Sequence, residues 1–138
     1  MSSRIDAATL RAYRRTEYRV DAGWSIGIDQ PSRELAAWHG RHGVDSSGFV
    51  SAVNPRSRLL EEEENRRRHL DLSAWLEEKG LAFLAGAGVD PEGSWPAEPG
   101  FLIAGLGQDA AARLGRRYDQ NAVVWSGADA VPRLLLLR

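Results

Sequence analysis

From residue 49 onward, short apolar runs and two helical patterns follow one another in an order that few small folds accommodate. "GFVSAVNP" reads as a strand closed by Pro55, whose missing N–H cannot continue a ladder. Residues 57–78 read as a long helix stopped at Gly80, and "LAFLAGAG" and "FLIAGL" as strands. Residues 109–118 read as a helix and "NAVVW" as a strand, giving the order βαββαβ, the split-βαβ or ferredoxin-like pattern. "RLLLLR" adds a strand after the turn "SGADAVP", and residues 86–100, dense in Gly and Pro, read as a long loop.

Ahead of this core, Asp6 caps a helix through about Thr16, and "EYRVDAGWSIGI" makes a hairpin around residues 21–23. Ser32 caps a second helix with Leu35 and Trp38 facing inward, stopped by Gly40 and Gly43. The expected fold is α+β in one domain, residues 1–138. It comprises a ferredoxin-like βαββαβ core with an extra C-terminal strand over 47–138, and an N-terminal helix–hairpin–helix extension over 1–46 packed on it.

A chain of 138 residues is long enough to close a hydrophobic core. A net charge of −1 supplies no field drawing in nucleic acid or an acidic membrane. Lys79 is the only lysine, and a GC-rich genome accounts for the arginine bias, which therefore carries no weight for phosphate recognition. The lack of cysteine removes disulfides, thiolate zinc sites and cysteine nucleophiles together. Residues 1–11 show no apolar secretory core, and no apolar run approaches a membrane span. The expectation is a cytoplasmic protein, monomer or weak homodimer, with no membrane partner, metal or cofactor.

Within the long helix, Glu62, Glu63 and Glu64 precede Arg66, Arg67 and Arg68 by four residues. Such exposed pairs contribute about 0.2–0.5 kcal/mol each, so most of this charge run is a solvated face. The helical wheel isolates a quieter set. Leu72, Trp75 and Leu76 define the buried stripe, and Asn65, Arg68, His69 and Glu61 continue it towards the helix start. Polar groups partly withdrawn from water need partners, either an internal capping network or a ligand.

In the inferred sheet, strand four borders strand one. Asn54, Arg56, Ser57, Asn65, Arg68, Gln120 and Asn121 then converge at one pole, beneath a loop carrying Trp95 and Glu98. These nine residues are the expected ligand site.

The stretches "VNPRSRLL…EENRRRH", "GVDPEGSWPAEPGFLIAGL" and "RRYDQNAVVW", with "YRV" and "IGIDQPS" near the front, resemble the bacterial family catalogued as domain of unknown function 3293. The family's Arg-Asn pair on the long helix stands here as Arg68-His69. The resemblance implies a small bacterial cytoplasmic α/β domain and supplies no activity.

Other motifs carry less. His39 and His42 stand three apart without a carboxylate partner and read as surface histidines rather than metal ligands. "GAGVDPEG" and "GLGQD" lack the phosphate-loop pattern. Ser57 and His69 are roughly 18 Å apart along a helix, too far to form a nucleophile–base pair. Trp38, Trp75 and Trp125 occupy core-like positions and no strand carries an RNA-binding aromatic signature, so nucleic acid is disfavoured. The leading expectation is a non-catalytic binding domain for a small anionic or amide-bearing ligand or a partner's loop. Arg56 and Arg68 would supply charge, and Asn54, Asn65 and Asn121 geometry. An enzyme at the same pole, with Glu98 or His69 moving a proton, is the second expectation. A module pairing through the RLLLLR edge strand is the third.

Overall fold

The computed structural model describes residues 4–138. Its chain order is α1 (Ala7–Arg15), β1 (Glu17–Val20), β2 (Ser25–Gly27), α2 (Arg33–Arg41), β3 (Ser47–Val50), a 3-10 turn (Pro55–Ser57), α3 (Glu62–Lys79), β4 (Phe83–Val89), β5 (Glu98–Ala104), α4 (Gln108–Arg117), β6 (Ala122–Ser126) and β7 (Arg133–Leu136). The architecture is mixed α and β. All seven strands form one antiparallel sheet in the order β2-β1-β4-β5-β3-β6-β7.

Period-two alternation divides the apolar side chains between two faces. Val50, Phe101, Ile103 and Val123 face α3 and α4, where Leu72, Leu76, Ala111 and Leu114 complete one core. Phe49, Leu102, Ala104 and Val124 face the other way and meet Leu35 and Trp38 of α2. The N-terminal hairpin lengthens the sheet itself: β1 pairs with β4, aligning Val20 with Gly86 and Glu17 with Val89.

Three local expectations are corrected. The long loop of residues 86–100 shrinks to residues 90–97, because Gly86, Gly88 and Gly100 lie inside strands. Their role is close approach rather than chain reversal. A Cβ on Gly86 would sit 2.4 Å from the Arg19 carbonyl oxygen, and one on Gly100 would sit 2.7 Å from the Phe49 ring and 2.9 Å from the Val50 carbonyl oxygen. The long helix starts at Glu62 instead of residue 57, since Asn54, Arg56 and Ser57 adopt left-handed backbone. His39 is buried, not at the surface. Its Nε2 lies 2.8 Å from the Ser47 hydroxyl, and burial lowers its pKa.

Gly86→Ala is expected to cost about 3 kcal/mol through forced overpacking of the curled sheet. Gly40→Ala, in an exposed helical position with nothing near the new methyl, is expected to gain about 0.5–1 kcal/mol. Chemical denaturation of the two variants checks both signs.

Candidate functional site

The chain leaves β3 through Asn54, which has left-handed backbone (φ 48°, ψ 61°) and is buried. Its side chain is shared among three elements. Oδ1 accepts from the Asn65 amide at 2.7 Å and from the Leu60 backbone N–H at 3.1 Å. Nδ2 donates to Glu98 Oε2 at 2.7 Å, and the Asn54 backbone N–H donates to Asn65 Oδ1 at 3.0 Å. Leu60 thus gives its N–H to Asn54, and the linker before α3 stays out of the helix.

Arg56 (φ 54°) and Ser57 (φ 59°) continue the left-handed run. Non-glycine residues held this way cost on the order of 1–3 kcal/mol each and persist only where surroundings hold them. Arg56 is held by Asp119: its backbone N–H reaches the Asp119 carbonyl and its Nε the Asp119 Oδ1, both at 2.9 Å. Ser57 is hydrogen-bonded to the Tyr13 hydroxyl. Asn121 Nδ2 donates to both, at 3.0 Å to Tyr13 and 3.3 Å to Ser57.

A cavity of about 410 Å³ lies between α1 and the sheet face that α2 leaves uncovered. Tyr18, Phe49, Val124 and Leu134 give it apolar walls, and Asn54, Ser57, Glu98 and Gln120 line its polar end. No residue of α1 is buried. Polar tethers hold the helix instead, chiefly Arg15, whose Nε and Nη2 reach the two Asp90 carboxylate oxygens at 2.9 and 3.0 Å. That guanidinium holds the Asp90 carboxyl well below the usual carboxylate range, helped by Ser94. Asp90 Oδ1 also accepts from the Glu92 backbone N–H at 3.0 Å, which fixes the β4–β5 turn. Tyr13, Arg15 and Asp90 were not among the expected site residues. Only Asp90 carried a local signal, an aspartate at a turn two residues before an N–H donor. Nothing in the sequence paired it with Arg15.

Glu98 is the carboxyl at the cavity's polar end. Burial pushes its pKa up, against the donors Asn54 Nδ2 and Trp95 Nε1, the latter at 2.9 Å from Oε2. Arg68 and Asn65 do not line the cavity. Arg68 donates to the Ala52 and Tyr118 carbonyl oxygens, joining the ends of β3 and α4, while Asn65 faces Asn54. Gln120 Nε2 spans the same seam, donating to the Val53 carbonyl at 3.0 Å. His69 lies on the opposite face of the sheet, stacked on Phe101 with centroids 4.5 Å apart, and burial lowers its pKa. That separation removes it from any proton transfer in the cavity. Arg66 and Arg67 are exposed as expected, with Arg67 paired to Glu64 three residues before it. Among the described residues no three His, Asp or Glu side chains cluster as metal ligands, and no helix is long and apolar enough to cross a membrane.

Residues 50–123 match the model of a family described as "Protein of unknown function (DUF3293)". The match covers more than half of the chain, and the chain belongs to that family. It includes Asn54, Asn65, Glu98, Gln120 and Asn121, and leaves α1, with Tyr13 and Arg15, outside. No curated protein and no solved structure matches the chain.

Asn54→Ala strands the Leu60 N–H, the Asn65 amide and one donor to Glu98, and is expected to cost about 3 kcal/mol. Asn54→Gly relieves the backbone while losing the same bonds, so the difference in their denaturation midpoints measures the left-handed term. Glu98 has a folded pKa above its unfolded one. The stability this provides is full below the unfolded value, 4.5, and is lost as pH rises through the raised folded value. Glu98→Gln, whose amide oxygen can still accept from Asn54 and Trp95, is expected to remove that fall in a pH series of unfolding curves.

Proposed function

We propose that this family member is a non-catalytic binding domain whose ligand enters the cavity beneath α1. The ligand class is a small molecule with an apolar body and a hydrogen-bond-donating end, such as a carboxamide. One observation carries the reading: a cavity of about 410 Å³ with apolar walls and, at its polar end, the carboxyl of Glu98, bonded to Asn54 and Trp95 rather than to a guanidinium as Asp90, the other carboxyl of the lining, is. Ligand sites in small domains have this size and this mixture of apolar walls and few polar groups. Glu98 favours a donor over an anion there, since a carboxylate ligand would face a like charge. Of the two ligand classes expected from the sequence, the amide-bearing one is therefore preferred. Arg56 and Arg68 then serve to frame the site, their guanidiniums being engaged with Asp119 and backbone carbonyls. The strand order β4-β5-β3-β6 supports a ferredoxin-like core as the scaffold behind it.

The raised proton affinity of Glu98 within a cavity favours a second reading, an acid–base enzyme working on the same ligand class. Glu98→Gln separates the two, since a binding domain keeps its ligand and has no turnover to lose.

The test of binding fills the cavity from its lid. Ala12 lies on α1 and lines the cavity, so Ala12→Leu adds volume inside it while keeping a good helix former. Wild-type protein is expected to be stabilised in thermal-shift assays by members of a panel of alkyl and aryl carboxamides. Ala12→Leu is expected to fold normally and bind the same compounds at least tenfold more weakly. Equal binding by the two proteins, or no binding of any amide by the wild type, would overturn the proposal.

A further inference from the structure

The register of three neighbouring strands decides what stands around Glu98. Tyr18 of β1 aligns with Gly88 of β4, and Gly88 with Glu98 of β5, so all three share the sheet face that floors the cavity. Gly88 puts no side chain between its neighbours, and the Tyr18 ring leans over it, 3.4 Å from where a Cβ would be. Two residues along β5 and on the same face, Gly100 does this for Phe49, whose ring is 2.7 Å from the position of a Cβ. The two rings meet with centroids 5.1 Å apart. The Trp95 indole closes another side, its Nε1 donating to Glu98 Oε2. Three aromatic residues of the lining are thereby gathered beside one carboxylate. Both donors to that carboxylate, Asn54 Nδ2 and Trp95 Nε1, use Oε2. Among the described residues Oε1 accepts no hydrogen bond, and no cation offsets the burial of the group. The two arginines of the lining are placed elsewhere: Arg15 is held by Asp90 and Glu92, and Arg11 is exposed. Gln120 adds a second open acceptor, because its Nε2 donates to the Val53 and Tyr118 carbonyls and so turns Oε1 away from them.

We infer that the ligand of this cavity is an organic cation, an apolar body carrying a protonated nitrogen with N–H donors, of the amidinium or primary-ammonium class. The inference rests on the binding reading above and narrows it from a donating head to a charged one. A carboxylate partly withdrawn from water without a counter-charge is costly, and a cation bonded to Oε1 offsets that cost. Aromatic faces attract cations through their quadrupoles, more strongly where water is thinned out. Carboxylate and rings therefore act on the same end of the ligand. An anion would meet like charge there, and a purely apolar ligand would leave the Glu98 and Gln120 acceptors without donors. Burial raises the pKa of Glu98, and a bound cation would draw it back down.

Benzamidine and benzamide have nearly the same shape and differ in charge, so the pair isolates the cation. Each is titrated calorimetrically into the full chain at mildly alkaline pH and constant ionic strength, with butyramidine and butyramide as an alkyl arm. The wild type is expected to bind each amidinium at least tenfold more tightly than its amide. Glu98→Gln, which keeps an oxygen for Asn54 and Trp95, is expected to cut that ratio at least fivefold. Ala12→Leu, which fills the cavity, is expected to weaken amidinium binding at least tenfold. Glu77→Gln removes the same charge from an exposed position of α3 outside the lining and is expected to leave the ratio unchanged. Equal affinity for amidinium and amide overturns the cation inference and leaves the binding reading standing. An unchanged ratio in Glu98→Gln, or an equal fall in Glu77→Gln, overturns it in the same way. If no compound of either pair binds, both readings fall. The wild-type ratio and Ala12→Leu decide the matter even where Glu98→Gln fails to fold.

Discussion

The buried amide of Asn54 is the constraint on which the rest of this molecule hangs. One side chain holds the linker before α3 through Leu60, the first turn of α3 through Asn65, and the start of β5 through Glu98. Its left-handed backbone turns the chain out of β3 at the point where the strand would otherwise run on. Amides suit this position because they offer an acceptor and a donor at once, and because asparagine tolerates left-handed backbone better than most residues. A buried polar group of this kind is costly when half satisfied and rigidifying when all its partners are present. Here every polar atom of Asn54 is used, including its carbonyl, which accepts from Ser57 at 2.9 Å.

The two faces of the sheet are covered by different physics. On one, α3 and α4 bury leucines and alanines against Phe101, Ile103 and Val123. On the other, α2 contributes Leu35 and Trp38, whereas α1 contributes no buried side chain. Dispersion and hydrophobic burial draw a helix down until it fills the gap; hydrogen bonds and ion pairs hold it at a fixed distance. The cavity exists because α1 is held by Tyr13 and Arg15 at arm's length from an apolar floor. The same arrangement makes the lid easier to open than any other helix, since few apolar contacts are lost when it moves.

Much of the element order was legible from periodicity and breakers. The polar continuation of the α3 stripe was legible too, because a 3.6-residue period distinguishes Asn65 and Arg68 from the exposed Arg66 and Arg67. The meeting of the Asn54, Gln120 and Asn121 segments followed from the strand order once it was inferred. The uses of these residues were not legible. Arg68 carries a full charge and looks like a ligand group, yet it caps two backbone carbonyls. Gly86 and Gly100 look like turn residues, yet they let neighbouring backbone pass close within a curled sheet. A glycine is the same letter in both settings, and only the neighbouring strand decides which applies.

By itself, the sequence determined the two periodicities, and with them which side chains would be withdrawn from water and which helix faces would be solvated. Those are properties of residues a few positions apart, fixed by helix and strand geometry. Tertiary structure alone decided the contacts between distant residues: Arg15 with Asp90, and Tyr13 with Ser57 and Asn121. It also decided that His39 goes to the interior and that Glu98 faces a cavity, where burial raises its pKa. Burial and electrostatic environment are set by whatever comes to lie against a side chain, and in this chain those neighbours stand far away in sequence.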